Sequence, residues 1–258
     1  MDKMPVLFIG HGSPMNAMED NAITQQWKML GKAIPRPKAI LSISAHWYTG
    51  GSFVQDLEQP EQIYDMYGFP AQLYEVKYPV SGSPVLSRRV KELLGLAVSV
   101  DNSWGIDHGT WSVLVHLYPA CDIPVVQLSI NGNLTPQEYF AMGQALQPLR
   151  NEGILILGSG NIVHNLRMID WNNVGGFSWA DDFDKWVQKC IVENDLDRLF
   201  QYTKQPHAWQ AVPTAEHLDP LFYCLGAVQG SKYNLRIIND VRVLGSMSMT
   251  SYVFENEA

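Results

Sequence analysis

Along the chain, short apolar runs alternate with longer stretches whose apolar residues recur at helical spacing. The runs VLFIG (6–10), AILSIS (39–44), IPVVQLSI (123–130) and GILILGSG (153–160) are brief, bounded by Gly or Pro and rich in branched side chains. That pattern predicts buried strands. Weaker strand candidates are LAVSV (96–100) and the tail 241–254. Helices are predicted over 21–32, 83–95, 110–118, 136–150, 179–193 and 217–228. Thr135 followed by Pro136 reads as an N-cap with proline at the first helical position. Thr214 is expected to cap the last helix, with Ala215, Glu216 and His217 in its first turn.

A β-then-α alternation predicts an α/β fold with a central, largely parallel or mixed sheet flanked by helices. Its active site is expected at the carboxyl ends of the strands. The stretches 48–82 and 165–180 read as long excursions, the kind of segment that walls an active site. With no repeat, low-complexity tract or linker, residues 1–258 are expected to form a single catalytic domain.

Composition narrows the function classes. The formal net charge is −8 with no long basic run, which argues against nucleic acid as a partner. Arg88, Arg89 and Lys91 read as the solvated face of a helix. No apolar run reaches the length of a membrane span, and the first residues look like a strand rather than a leader. The odd, widely spaced Cys121, Cys190 and Cys224 read as free, mostly buried thiols of a cytoplasmic protein.

The chemistry lies in the histidines. His11, His46 and His164 each follow a predicted strand closely, so parallel strands would deliver all three to one rim of the sheet. His217 is a fourth candidate. A carboxylate at Glu216 is explained by the positive end of a helix dipole, whereas an imidazolium at 217 is not. His217 is therefore preferred as a metal ligand, with Glu216 in reserve. His108, between Gly105 and Gly109, reads as a catalytic or substrate contact or as a turn residue, with Asp107 orienting it or capping the helix. His116 and His207 are read as structural. Neutral imidazoles suit zinc, iron, copper or nickel, and an open site with few protein ligands is catalytic rather than structural. Trp47, Tyr48, Trp104 and Trp111 are candidates to sandwich a planar ring. Ser13, Asn16 and Asn161 are candidates to orient ligands, and Arg167 is a weak candidate for a substrate carboxylate.

The ordered motifs GHGSPMN, SAHW, WGIDHGTW, GSGNIVHNL and PTAEHLDPLFYCLGA resemble those of the extradiol ring-opening dioxygenases of the LigB superfamily, and most closely its DODA type. The resemblance runs from about residue 4 to residue 254. It implies one divalent metal, Fe(II) for catalysis, with Zn(II) often occupying the site in isolated proteins. It implies His11, His46 and His217 as metal ligands, His164 as acid–base residue or fourth ligand, and His108 on the substrate side. Other superfamily members carry glutamate as the third ligand, where His217 stands here beside Glu216. The implied partners are a small aromatic diol and O2, with neither nucleic acid nor membrane; homo-oligomerisation is left open. The competing readings are a metal chelatase, whose "GHGS"-like strand end is similar, a zinc hydrolase, a non-enzymatic metal-binding protein, and an anion cradle at the glycine-rich turns.

Overall fold

In the computed structural model, which describes residues 3–257, the main sheet has six strands: β1 (Val6–Gly10), β2 (Ala39–Ser44), β3 (Val125–Gln127), β4 (Ile154–Gly160), β5 (Tyr233–Ile238) and β6 (Ser251–Asn256). Their order is β3-β2-β4-β1-β6-β5. β1 pairs parallel with β4, β4 with β2 and β2 with β3, whereas β6 runs antiparallel to both β1 and β5. The sheet is mixed, with one reversed strand.

Helices α1 (Ala22–Ala33), α2 (Pro84–Leu94), α3 (His108–Leu117), α4 (Pro136–Leu146), α5 (Ser178–Val192) and α6 (Asp219–Val228) cover its faces. Val6, Phe8, Leu41, Ile43 and Ile156 pack into one core with α2, α4, α5 and α6; Leu7, Ile9, Ile40, Leu155 and Leu157 pack into a second with α1 and α3. Successive strand side chains point to opposite faces. A strand covered on both sides is therefore mostly apolar, with its few polar groups paired, as Ser42 Oγ is with Thr110 Oγ1, which is why these strands were legible as nearly continuous apolar runs. Thr135 caps α4 in a reciprocal box with Glu138, with Pro136 at the helix start.

Several expectations are corrected. The run 123–130 is not one strand: β3 ends at Gln127, and Ile130–Asn131 instead pairs with Tyr48–Thr49. The 96–100 strand is real only as Val98–Val100, beside Ser52–Val54 and outside the main sheet. The predicted helix 136–150 breaks at Gln147, where Pro148 starts a separate turn, Pro148–Asn151; a proline amide cannot continue the ladder. The tail divides into Arg242–Val243, Met247–Ser248 and β6. β5 escaped sequence analysis because it is an edge strand whose half-buried residues mix Asn and Arg with aliphatics. The last helix begins at Asp219, not at 215, and Thr214 donates its hydroxyl to Glu216 Oε1 at 2.6 Å instead of capping the helix.

Register decides where the chain turns. Gly10 stands opposite Gly160, and Ser44 opposite Ser159. β1, β2 and β4 thus end at one level, and the residues that follow each strand emerge on one rim. Cys190 and Cys224 are buried, Cys121 is half-buried, and all three are unpaired. Among the described residues no helix is long and apolar enough to cross a membrane.

Candidate metal centre

At that rim the rings of His11, His46 and His217 converge, with centroids 5.0, 5.3 and 5.2 Å apart pairwise. Each offers a nitrogen to a common group whose members all lie within 4.8 Å of one another. His11 follows β1 directly, and its backbone N–H donates to Gly160 O at 3.1 Å. His46 follows β2 by two residues. His217 stands just before α6, and its carbonyl accepts the N–H of Asn161 at 2.8 Å, which seats it on the end of β4.

The ring tautomers follow from the neighbours. Ser159 Oγ donates to Gly109 O, so it can only accept from His11 Nδ1, 2.9 Å away. His11 Nε2 then carries a lone pair. His46 Nδ1 lies 3.3 Å from Asp65 Oδ2, whose negative charge favours the proton on Nδ1 and a lone pair on Nε2. The two Nε2 atoms face each other across 3.2 Å. Two opposed lone pairs repel unless a cation lies between them. Nitrogens about 2.1 Å from one metal at tetrahedral to octahedral angles stand roughly 3.0–3.4 Å apart, so the spacing fits an ion. His217 strengthens the fit: both its ring nitrogens are buried without a hydrogen-bond partner, a costly arrangement that coordination would relieve. Glu216 Oε1 lies 3.5 Å from His217 Nδ1 but is not in the three-nitrogen group.

Burial keeps these rings neutral. With the neighbouring histidines adding to it, burial lowers the pKa of His46 to about 3 and holds His11 and His217 well below the usual value, and it lowers that of His164 to about 4. The unfolded chain takes up protons at these rings below about pH 6.5, whereas in the folded metal-free protein His46 and His164 do so only nearer pH 3–4 and His11 and His217 are likewise held down. The metal-free protein is therefore expected to lose stability as the pH falls from about 6.5 toward 4. The urea midpoint at pH 5 should lie below that at pH 7.5; equal midpoints would contradict this.

His164 stands outside the converging group. Its ring stacks on that of His217, with centroids 3.5 Å apart and planes 8° from parallel. Its backbone is pinned by Ala211 O at 2.9 Å. Burial keeps its ring from titrating near neutrality. His108 lies beside His46, with ring centroids 3.9 Å apart. Asp107 does not orient it. Asp107 is buried as the α3 N-cap, with Oδ1 accepting from Thr110 N and Ser44 Oγ and Oδ2 from Gln127 Nε2 and Trp104 Nε1. It ties the end of β2 to the start of α3.

The residue that meets His108 is Asp65, which sequence reasoning missed. Its Oδ1 accepts the His108 backbone N–H at 2.9 Å and its Oδ2 lies 2.9 Å from His108 Nδ1. Burial pushes its carboxyl upward, but hydrogen bonding and charge from His108, then His46, outweigh this and the net direction is downward. The available signal was its place in the 48–82 excursion flagged as a wall. Ser159, the partner of His11, was hidden inside a strand.

The proposed orienting residues do other work. Ser13 caps a short turn by accepting from Met15 N, Asn16 Nδ2 donates to the His11 carbonyl rather than its ring, and Asn161 Nδ2 donates to Ser248 O. Trp47 and Trp111 are buried in the packing, Trp104 is half-buried, and Tyr48 is 40% exposed. Arg167 is exposed on the 165–180 excursion. His116 Nε2 bonds Asn16 O at 2.7 Å and His207 Nδ1 bonds Gln210 Oε1 at 2.8 Å, both structural as expected.

A mixed α/β sheet with buried histidines converging at one rim is the setting of a metal enzyme, and the sequence places it within a family. Residues 5–255 match the catalytic LigB subunit of aromatic ring-opening dioxygenase, and the chain belongs to that family. It is 43% identical to a 4,5-DOPA dioxygenase extradiol of Escherichia coli (strain K12), over 96% of this chain and 94% of that one. It is 38% identical to a protein of the same name from Beta vulgaris, over 96% and 95%. The crystal structure of an uncharacterized Escherichia coli K12 protein superposes with a TM-score of 0.85 at 40% identity, covering 97% of this chain and 99% of that one.

Proposed function

We propose that the protein is an extradiol dioxygenase that inserts both atoms of O2 into a small catechol of the DOPA type and opens the ring beside the diol, leaving a semialdehyde and a carboxylate. The observation that carries the reading is the 3.2 Å approach of His11 Nε2 to His46 Nε2, with the unpartnered His217 ring beside them. These three would hold the metal, and family membership together with the DOPA-named relatives supports the substrate class. Bound Fe(II) would supply the site for catecholate and O2 and the electron transfer between them. We also place the reaction in one catalytic domain and in the cytoplasm, where three unpaired thiols are at home.

The protein's own groups do the proton work. His164 is neutral at pH 7 and can accept a catechol hydroxyl proton. Its stacked position on His217, outside the nitrogen group, favours this role over that of a fourth ligand. His108, held through Nδ1 by Asp65 beside His46, is placed to accept a second proton at Nε2. His11 and His217 are buried, which strengthens every charge interaction at the centre.

Anaerobic loading with Fe(II), addition of catechols including DOPA and admission of air should give a yellow ring-opened product with matching oxygen uptake. A broad catechol panel that yields no product would end the reading. Zinc does no redox chemistry, so the zinc-loaded protein should bind catechols without cleaving them. His164→Gln is expected to keep its iron while kcat falls by about 10²–10⁴, the usual contribution of a positioned acid–base group. Loss of the iron in this variant would make His164 a ligand instead.

A further inference from the structure

We propose that Asp65 is a positioning residue that sets the ring tautomers of His46 and His108 together through one carboxylate. The catalytic consequence rests on the function proposed above; the positioning itself does not.

The geometry is specific. Asp65 has a side chain 9% exposed, and its Oδ2 lies 2.9 Å from His108 Nδ1 and 3.3 Å from His46 Nδ1. Its other oxygen accepts the His108 backbone N–H at 2.9 Å. An ionised carboxylate only accepts, so His108 carries its proton on Nδ1, and the negative charge 3.3 Å from His46 Nδ1 favours the same tautomer there. Both Nε2 atoms are then lone pairs. On His46 that lone pair points at His11 Nε2, 3.2 Å away. On His108 it is left free as a proton acceptor. One carboxylate thus prepares a nitrogen for a cation and a second nitrogen for a proton, on rings whose centroids are 3.9 Å apart.

Asp65 is held in place from the excursion it belongs to. Ile63 N donates to Ile106 O at 3.0 Å, and Ile106 N to Glu61 O at 2.7 Å, so the excursion is zipped to the segment that leads into His108. A Cβ at Gly105 would overlap the Glu61 carbonyl oxygen, so only glycine allows this approach. Trp111 Nε1 donates to Ile63 O at 2.9 Å and Tyr64 Oη to Val76 O at 2.7 Å. These bonds fix the backbone leading into Asp65. Asp107, the acidic neighbour in sequence, is already engaged by four donors.

The test compares zinc-loaded wild-type protein with Asp65→Asn, both carrying 15N-histidine, by long-range proton–nitrogen NMR. Wild-type His108 should be protonated on Nδ1. In the variant the side-chain oxygen keeps the His108 backbone N–H, so its NH2 group faces Nδ1 and His108 should switch to the Nε2–H form. Zinc affinity should fall by about 10–100-fold, as when a ligand loses its hydrogen-bond partner. With iron and a catechol, kcat should fall by up to about 10⁴ with little change in KM, the scale of a wrong-tautomer variant.

An Nε2–H tautomer in the wild type, or an unchanged tautomer and zinc affinity in the variant, would overturn the assignment. So would a second equivalent of zinc bound by the wild type and lost in Asp65→Asn, because Asp65 would then be a ligand. If the variant does not fold, the wild-type spectrum alone decides. The NMR and zinc readouts need no turnover, so a wild-type protein that cleaves no catechol sinks the proposed activity without deciding Asp65.

Discussion

Replacing His217 with alanine is expected to strip the protein of its metal and reduce ring cleavage to background. The substitution removes one of three converging nitrogens and leaves two, His11 Nε2 and His46 Nε2, with opposed lone pairs. The affinity loss should exceed the roughly 10–100-fold that follows when a ligand merely loses a hydrogen-bond partner. His11→Ala and His46→Ala should behave alike. Metal content per chain after dialysis is the direct measurement, read beside circular dichroism to show that the fold persists. Full occupancy in any of the three would remove that residue from the ligand set. Retention in His217→Ala together with loss in Glu216→Gln would transfer the third position to the carboxylate.

Gly160→Ala should be among the most damaging changes outside the histidines. A Cβ there would overlap the carbonyl oxygen of His217. Both partners are backbone, on the end of β4 and in the segment before α6, so neither can rotate away as a side chain would. Overpacking of this kind costs about 3 kcal/mol at the upper end of its usual range. For a chain of this size that lowers Tm by roughly 6–12 °C. The same shift would lift His217 from the cluster, so metal affinity should fall along with stability. A Tm within a degree of wild type, or unchanged metal affinity, would show that the approach is looser than described.

The two predictions probe different kinds of information. His11 and His46 were legible because each follows a short, mostly apolar strand, and parallel strands deliver their ends to one rim. His217 was legible for a weaker reason, the mismatch between a cation and a helix N-terminus, and that reason was partly misplaced, since α6 begins only at Asp219. Its nitrogen joins the cluster because its carbonyl is seated on β4, a contact that no local pattern reveals. The family resemblance supplied roles that residue types could not, above all for His164, and residues 5–255 match that family.

The orienting residues were the least legible. Asn16 and Asn161 were chosen for proximity in sequence to the ligands, and both serve the backbone instead. The groups that set the tautomers, Ser159 and Asp65, come from a strand interior and a distant excursion. For Asp107 the sequence left two roles open, orienting His108 or capping the helix, and the structure selects the second: Asp107 turns inward to cap α3.

What the sequence by itself determined is the set of strands buried on both faces, the helices between them, and imidazoles at several strand ends. Those features depend on local periodicity and turn chemistry, which are written in neighbouring residues. Only the tertiary structure decided that β4 lies between β1 and β2, that their ends share one level, and that Asp65 and Ser159 reach the rings. Those outcomes depend on register and on contacts between segments far apart in the chain, where packing of the whole molecule, and no local preference, selects the partner.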